Sequence, residues 1–259
     1  KGKGERFLSS QVLLDSDLGK LILQNFDEVS ANSFQYLIEG SAALRARIEA
    51  SGGQVRYSAY GYHGTEILID GRYQWQTYTS YTQGKAKMRL EDIARDAWAQ
   101  GIKATVYNCP EIRTNSSDIF VGVELPLISL LYALKKENGG AWAEAQWQAC
   151  NALLADGHTV EEVLAKVDAF HGSAVMQGFR DFPAWPMPNS QALADLMIGT
   201  SDDIVQMHTD RKALITDLLS SLVLEATGPL MLRETSAPAG PVLWLNHDII
   251  ARQLNNLHA

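Results

Sequence analysis

Asp92 and Arg95, in Arg89-Leu-Glu-Asp92-Ile-Ala-Arg95-Asp-Ala-Trp98, stand three apart on neighbouring positions of one helical face. As a solvated ion pair they would contribute little to stability. The functional reading has the carboxylate and the guanidinium facing a nucleotide, with the guanidinium fork suited to a phosphate. Asn108-Cys109-Pro110-Glu111 follows the next apolar run and would bring an amide, a thiol and a carboxylate to a strand end. His63 lies in Gly61-Tyr62-His63-Gly64-Thr65 at the end of a strand; a histidine in a turn is the plain reading. Asp15-Ser16-Asp17 supplies two carboxylates that suit either a metal or a helix cap. Cys109 and Cys150 are far apart and outside any Cys-x-x-Cys pair, which excludes a disulfide framework and a zinc motif. Cys109, with His63 or His171 as base, is the candidate nucleophile of the two; Cys150, among Trp147, Leu153 and Leu154, reads as packed.

Other chemistries lack their signatures. There is no Gly-x-x-x-x-Gly-Lys loop, no Gly-x-Gly-x-x-Gly, no Gly-x-Ser-x-Gly elbow and no His-Glu-x-x-His helix. The six histidines have no ligand spacing, so no metal site is expected. A formal charge of −8 argues against a nucleic-acid partner. No membrane span is expected, and the expected compartment is the cytoplasm, with effector-type secretion as the alternative.

The elements that would position these residues follow from periodicity. Gln11 to Leu14 reads as a short buried strand and Ala31 to Ala50 as a helix stopped by Ser51-Gly-Gly53. Val55 to Tyr62 reads as a strand. Asp70-Gly71 between alternating runs is a two-residue hairpin turn. A helix over 88–100 and a strand over 102–107 complete a parallel crossover unit. Helices are expected over 125–136, 141–155 and 159–170, the last with a Thr159/Glu162 capping box. Phe182 to Pro188 is a rigid proline-bearing loop, and the tryptophans Trp142, Trp147 and Trp185 suit a core or a groove. A helix over 211–226, strands over 230–232 and 242–245 and a terminal helix follow. The expected fold is α/β: a nucleotide-binding-type mixed sheet flanked by helices, with a helical subregion. One domain is expected, with an α/β core over 1–124, the helical subregion over 125–200 and a return to the core over 201–259.

Over 88–135 and 212–232 the chain resembles glycosyltransferases with an Asp-x-Asp sugar-binding motif, the group of large clostridial toxins and yeast-type mannosyltransferases. The Asp92/Arg95 helix, the strand leading to Asn108-Cys109-Pro110, the Asp118 to Leu131 segment and Thr227-Gly228-Pro229 carry the likeness. It implies a nucleotide-sugar donor and a protein acceptor, with Asp92, Arg95, Thr227 and Gly228 binding the donor and Asn108 and Glu111 at the catalytic position. Glu91 replaces the family's serine, and the Asp-x-Asp pair that holds a divalent ion is absent. The implied enzyme is therefore metal-independent or inactive. Tyr62-His63-Gly64-Thr65 resembles the opening of the NAD site in diphtheria-type ADP-ribosyltransferases, which makes His63 the alternative NAD site. A third reading, from the acidic surface and incomplete motifs, is a non-catalytic inhibitor or adaptor.

Overall fold

The computed structural model describes residues 11–61, 64–76, 82–118, 122–137, 139–177 and 190–258. Its centre is a parallel sheet of β1 (Arg56–Tyr60), β4 (Lys103–Asn108) and β5 (Val242–Trp244) in the order β1-β4-β5. A separate antiparallel hairpin pairs β2 (Thr65–Ile69) with β3 (Arg72–Gln76). Its turn is the expected one: Asp70 and Gly71 both take positive φ, 49° and 72°. The middle strand β4 is buried from Ala104 to Asn108, as a strand covered on both faces must be. Mixed α/β architecture with helices flanking a parallel sheet is thus the fold.

One face of the sheet is covered by the N-terminal helices. α1 (Gln11–Asp15), α2 (Asp17–Asp27), a π-helical turn over Glu28–Asn32, α3 (Ser33–Gly40) and α4 (Ala42–Ala50) lead into β1. α5 (Thr82–Ala99) connects the hairpin to β4. Phe34 and Ile38 of α3 and Leu90, Ala94 and Ala97 of α5 close on Tyr57, Ala104 and Val106. The expected strand at Gln11 to Leu14 is helix α1. So short an apolar run fits either period, and Ser16 decides the matter by capping α2 through Gly19 N.

A larger helical body follows β4: α6 (Glu124–Ile128), α7 (Leu130–Glu137), α8 (Ala141–Asn151), α9 (Val160–Gly172), α10 (Ala174–Gln177) and α11 (Gln191–Gln206). The Thr159/Glu162 capping box forms as its spacing requires. α12 (Ile215–Ser236) then returns to the sheet, and α13 (His247–His258) packs on α7 and α12. The loop at Thr227-Gly228-Pro229 and the strand over 230–232 are instead the interior of α12. Pro229 removes one ladder donor, but Ala226, Thr227 and Leu230 bury one stripe of the helix, and that packing outweighs the break. Among the described residues α12 alone is long and apolar enough to cross a membrane; half of that stretch is buried and it packs on β1 and β4. The loop with Phe182 to Pro188 and Trp185 lies outside the described residues.

Candidate active site at the carboxyl edge of the sheet

Parallel strands deliver their carboxyl ends to one edge, where open α/β sheets bind ligands. Here Tyr60, Asn108 and Trp244 end β1, β4 and β5 together, tied by Gly61 N to Tyr107 O (2.8 Å) and Leu245 N to Asn108 O (2.9 Å). Asn108 is fully buried, and its amide Nδ2 donates to Glu91 Oε1 on α5. Its Oδ1 has no hydrogen-bond partner among the described residues. Gly61 sits against it: a Cβ there would lie 2.6 Å from both Asn108 Oδ1 and Val106 Cγ1, so only glycine leaves the asparagine room.

α5 begins at this edge because it crosses back from the hairpin towards the start of β4. Lys87 in its early turns donates from Nζ to Tyr60 O at 3.0 Å, and burial pulls the ammonium's pKa down. Trp98 near its end anchors the helix to β4 by donating from Nε1 to Ala104 O at 2.6 Å. On the β4 side, the loop after Asn108 carries Cys109, Glu111 and Arg113. Glu111 is buried. Arg113 Nη1 meets both oxygens of Asp217 at 2.7 Å, and its backbone N–H donates to Ser220 Oγ at 2.7 Å. Cys109 lies 3.8 Å from Met231 Sδ, with burial raising its thiol to about 11; Cys150 is raised by burial to about 12. Neither is an activated nucleophile at neutral pH.

The residues singled out in the sequence fall into separate places. Asn108 and Glu111 stand together at the strand end. Asp92 and Arg95 pair with each other at 2.8 Å on the exposed side of α5, and Arg95 Nη2 also reaches Glu91 at 3.0 Å. Thr227 and Gly228 lie in mid-helix, with Thr227 Oγ1 bonded to Leu224 O. His63 is outside the described residues. Lys85 and Lys87, in the first turns of α5, went unremarked. In the sequence Tyr78 and Tyr81, both outside the described residues, precede Lys85 and Lys87 and bring phenols and ammoniums into one short run.

Comparison with known proteins decides between the readings. Residues 1–254 match the family described as enoyl-acyl carrier protein reductase FabMG. The chain is similar to the apo structure of FabMG, a novel type of enoyl-acyl carrier protein reductase, at 76% identity and a TM-score of 0.93; the match covers 100% of this chain and 58% of that one. It is similar to the NADH-bound structure of FabMG at 68% identity and a TM-score of 0.82, covering 100% of this chain and 63% of that one. The chain thus spans less than two thirds of either solved chain. No curated protein matches.

These findings overturn the glycosyltransferase resemblance, the nucleotide-sugar donor and protein acceptor that it implied, and the ADP-ribosyltransferase alternative. The physical reason is that the likeness rested on a helix, a buried strand and a turn in sequence, which any right-handed βαβ crossover supplies. The chain belongs to the FabMG family of enoyl-acyl carrier protein reductases.

Proposed function

We propose that this chain takes part in NADH-dependent reduction of an enoyl thioester carried by an acyl carrier protein, with the nicotinamide end of the dinucleotide over the carboxyl edge of β1-β4-β5. The observation that carries the reading is the family match along residues 1–254, and the NADH-bound relative supports the choice of cofactor. The residues at the edge suit such a ligand. Lys87 spends one N–H on Tyr60 O and keeps its other donors for ribose hydroxyls or a developing oxyanion. Gly61 keeps the backbone bare where the strand ends meet.

When bound, NADH supplies a hydride to the carbon β to the thioester carbonyl. The protein must then stabilise negative charge on the carbonyl oxygen and deliver a proton. In this proposal the half-buried Lys87 and the neighbouring Lys85 provide the positive field, which strengthens as water is excluded. The proton comes from a phenol, with Tyr78 and Tyr81 as the sequence candidates; both lie outside the described residues. Asn108 and Glu111 hold the β4 end, and His63, next in sequence to that edge, is a candidate contact for the nicotinamide half. Asp92, Arg95, Thr227 and Gly228 are given structural roles. The helical subregion over 125–200 roofs the α/β core of 1–124 and 201–259, and the cytoplasmic location belongs to the same proposal.

The test is NADH binding by quenching of tryptophan fluorescence, together with loss of NADH absorbance on adding a short enoyl thioester of acyl carrier protein. Lys87→Ala should weaken binding and slow turnover in a folded protein. A folded wild-type protein that neither binds NADH nor consumes it would overturn the proposal.

A further inference from the structure

Glu91 lies one helical turn after Lys87 on α5 and is 1% exposed. A carboxylate buried so deeply is costly unless donors meet it. Asn108 Nδ2 donates to its Oε1, and Arg95 Nη2 donates to its Oε2 at 3.0 Å. The Arg95 side chain is half exposed, so Asn108 is the partner that binds Glu91 to the interior.

An ionised carboxylate only accepts hydrogen bonds, whereas a side-chain amide can donate or accept. Glu91 therefore decides which way the Asn108 amide is turned. Nδ2 faces α5, and Oδ1 is left facing β1, where it lies against Gly61. Reversed, the amide would set its oxygen against the carboxylate and its N–H groups against Gly61. Packing at that point is close, since a Cβ on Gly61 would lie 2.6 Å from Oδ1. The end of β1 must follow any movement of the Asn108 side chain.

These contacts close into a ring. Glu91 holds Asn108 at the end of β4, and Asn108 lies against Gly61 at the end of β1. Gly61 N donates to Tyr107 O at 2.8 Å, and the neighbouring Tyr60 O accepts from Lys87 Nζ at 3.0 Å. Lys87 and Glu91 thus grip the ends of two adjacent strands from one face of α5. Displacing Asn108 would displace the carbonyl to which the ammonium is bonded.

Resting on the function proposed above, we propose that Glu91 is a positioning residue, acting through Asn108 on the end of β1 and so on the place of the Lys87 ammonium. It touches neither the dinucleotide nor the enoyl thioester. Arg95 steadies the second oxygen of Glu91, and the bond from Asn108 to the first survives without it.

The experiment measures NADH affinity of the full chain by tryptophan fluorescence, at a temperature where melting curves show each variant folded. Glu91→Gln keeps the shape, but Arg95 draws the new carbonyl oxygen to itself and turns N–H groups towards Asn108 Nδ2. Affinity should fall about tenfold, the loss expected when one charge-assisted hydrogen bond is broken. In a Lys87→Ala background the same substitution should change affinity by about twofold or less, because the group it positions is gone. The double variant Glu91→Gln/Asn108→Asp exchanges donor and acceptor while satisfying Arg95, and should recover to within about threefold of wild type.

Unchanged affinity in Glu91→Gln overturns the proposal. So does an equal loss with Lys87 present and absent, which would make the effect one of the whole layer. Failure of Glu91→Gln to fold would assign the residue to the core alone and overturns it as well. A folded exchange variant without recovery would show that the turn of the amide does not matter; if that variant does not fold, the cycle with Lys87→Ala decides. Wild type that binds no NADH defeats the proposed function and this inference with it. Wild type that binds and oxidises NADH while Glu91→Gln is neutral defeats this inference alone.

Discussion

The layer between α5 and the sheet and the helical body after β4 are built from different side chains. Between α5 and the strands, Ala94, Ala97 and Ala104 are buried, and the helix comes close enough for Trp98 to reach Ala104 O and Glu91 to reach Asn108. In the helical body Leu127, Leu131, Leu134, Leu164 and Leu193 fill the interior with large side chains. Close approach in the first region holds strand ends and Lys87 in register, which is where we place the chemistry. Bulk in the second region buries apolar area. One region is sensitive to added atoms, the other to removed ones.

That contrast can be broken by substitutions of opposite sense. Leu131→Ala should cost about 3 kcal/mol, since the removed atoms leave a cavity, and chemical denaturation would read it. Ala94→Leu should cost about 2 kcal/mol by overpacking, and should also weaken NADH binding because α5 must move off β4; Leu131→Ala should leave NADH affinity in the folded protein alone. If the leucine were harmless at position 94, the close-packed account of this layer would be wrong.

The third prediction concerns acid. His247 in α13 is 1% exposed; burial, together with the charge of His171, lowers its pKa from 6.5 to about 3, and Ser129 Oγ lies 3.5 Å from its Nδ1. Between those pH values the unfolded chain binds a proton that the folded chain refuses, so stability rises with pH. The contribution is full above about 6.5 and is lost as pH falls towards about 3, with a slope of up to about 1.4 kcal/mol per pH unit. Melting temperature against pH should be flatter for His247→Gln; an unchanged profile would remove this histidine from the account. The smallest effect is expected at Arg95→Ala. Its guanidinium is half exposed, and stability should change by about 0.5 kcal/mol or less with NADH affinity unmoved. A large loss of NADH binding there would restore Arg95 as a ligand contact.

Local signals were read well where a few neighbouring residues settle the backbone. Asp70-Gly71 demands positive φ, Thr159 and Glu162 close a capping box, and the apolar stripe of α5 has helical period. α12 was misread because Gly228-Pro229 is a breaker pair in any local view, and only burial of its stripe shows the helix continuing. The reductase reading proposed above is not legible in the sequence for a related reason. Tyr78, Tyr81, Lys85 and Lys87 form no motif by composition, and the lysines gain meaning only where α5 meets the end of β1.

By itself, then, the sequence determined the α/β class, the hairpin, most helices and the strands that form the sheet, because those depend on period, turn chemistry and caps within a few residues. Tertiary structure decided which polar groups meet. Glu91 and Asn108, Lys87 and Tyr60, and Arg113 and Asp217 are 17, 27 and 104 residues apart. Such pairings are fixed by the packing of whole elements, and no local pattern encodes them.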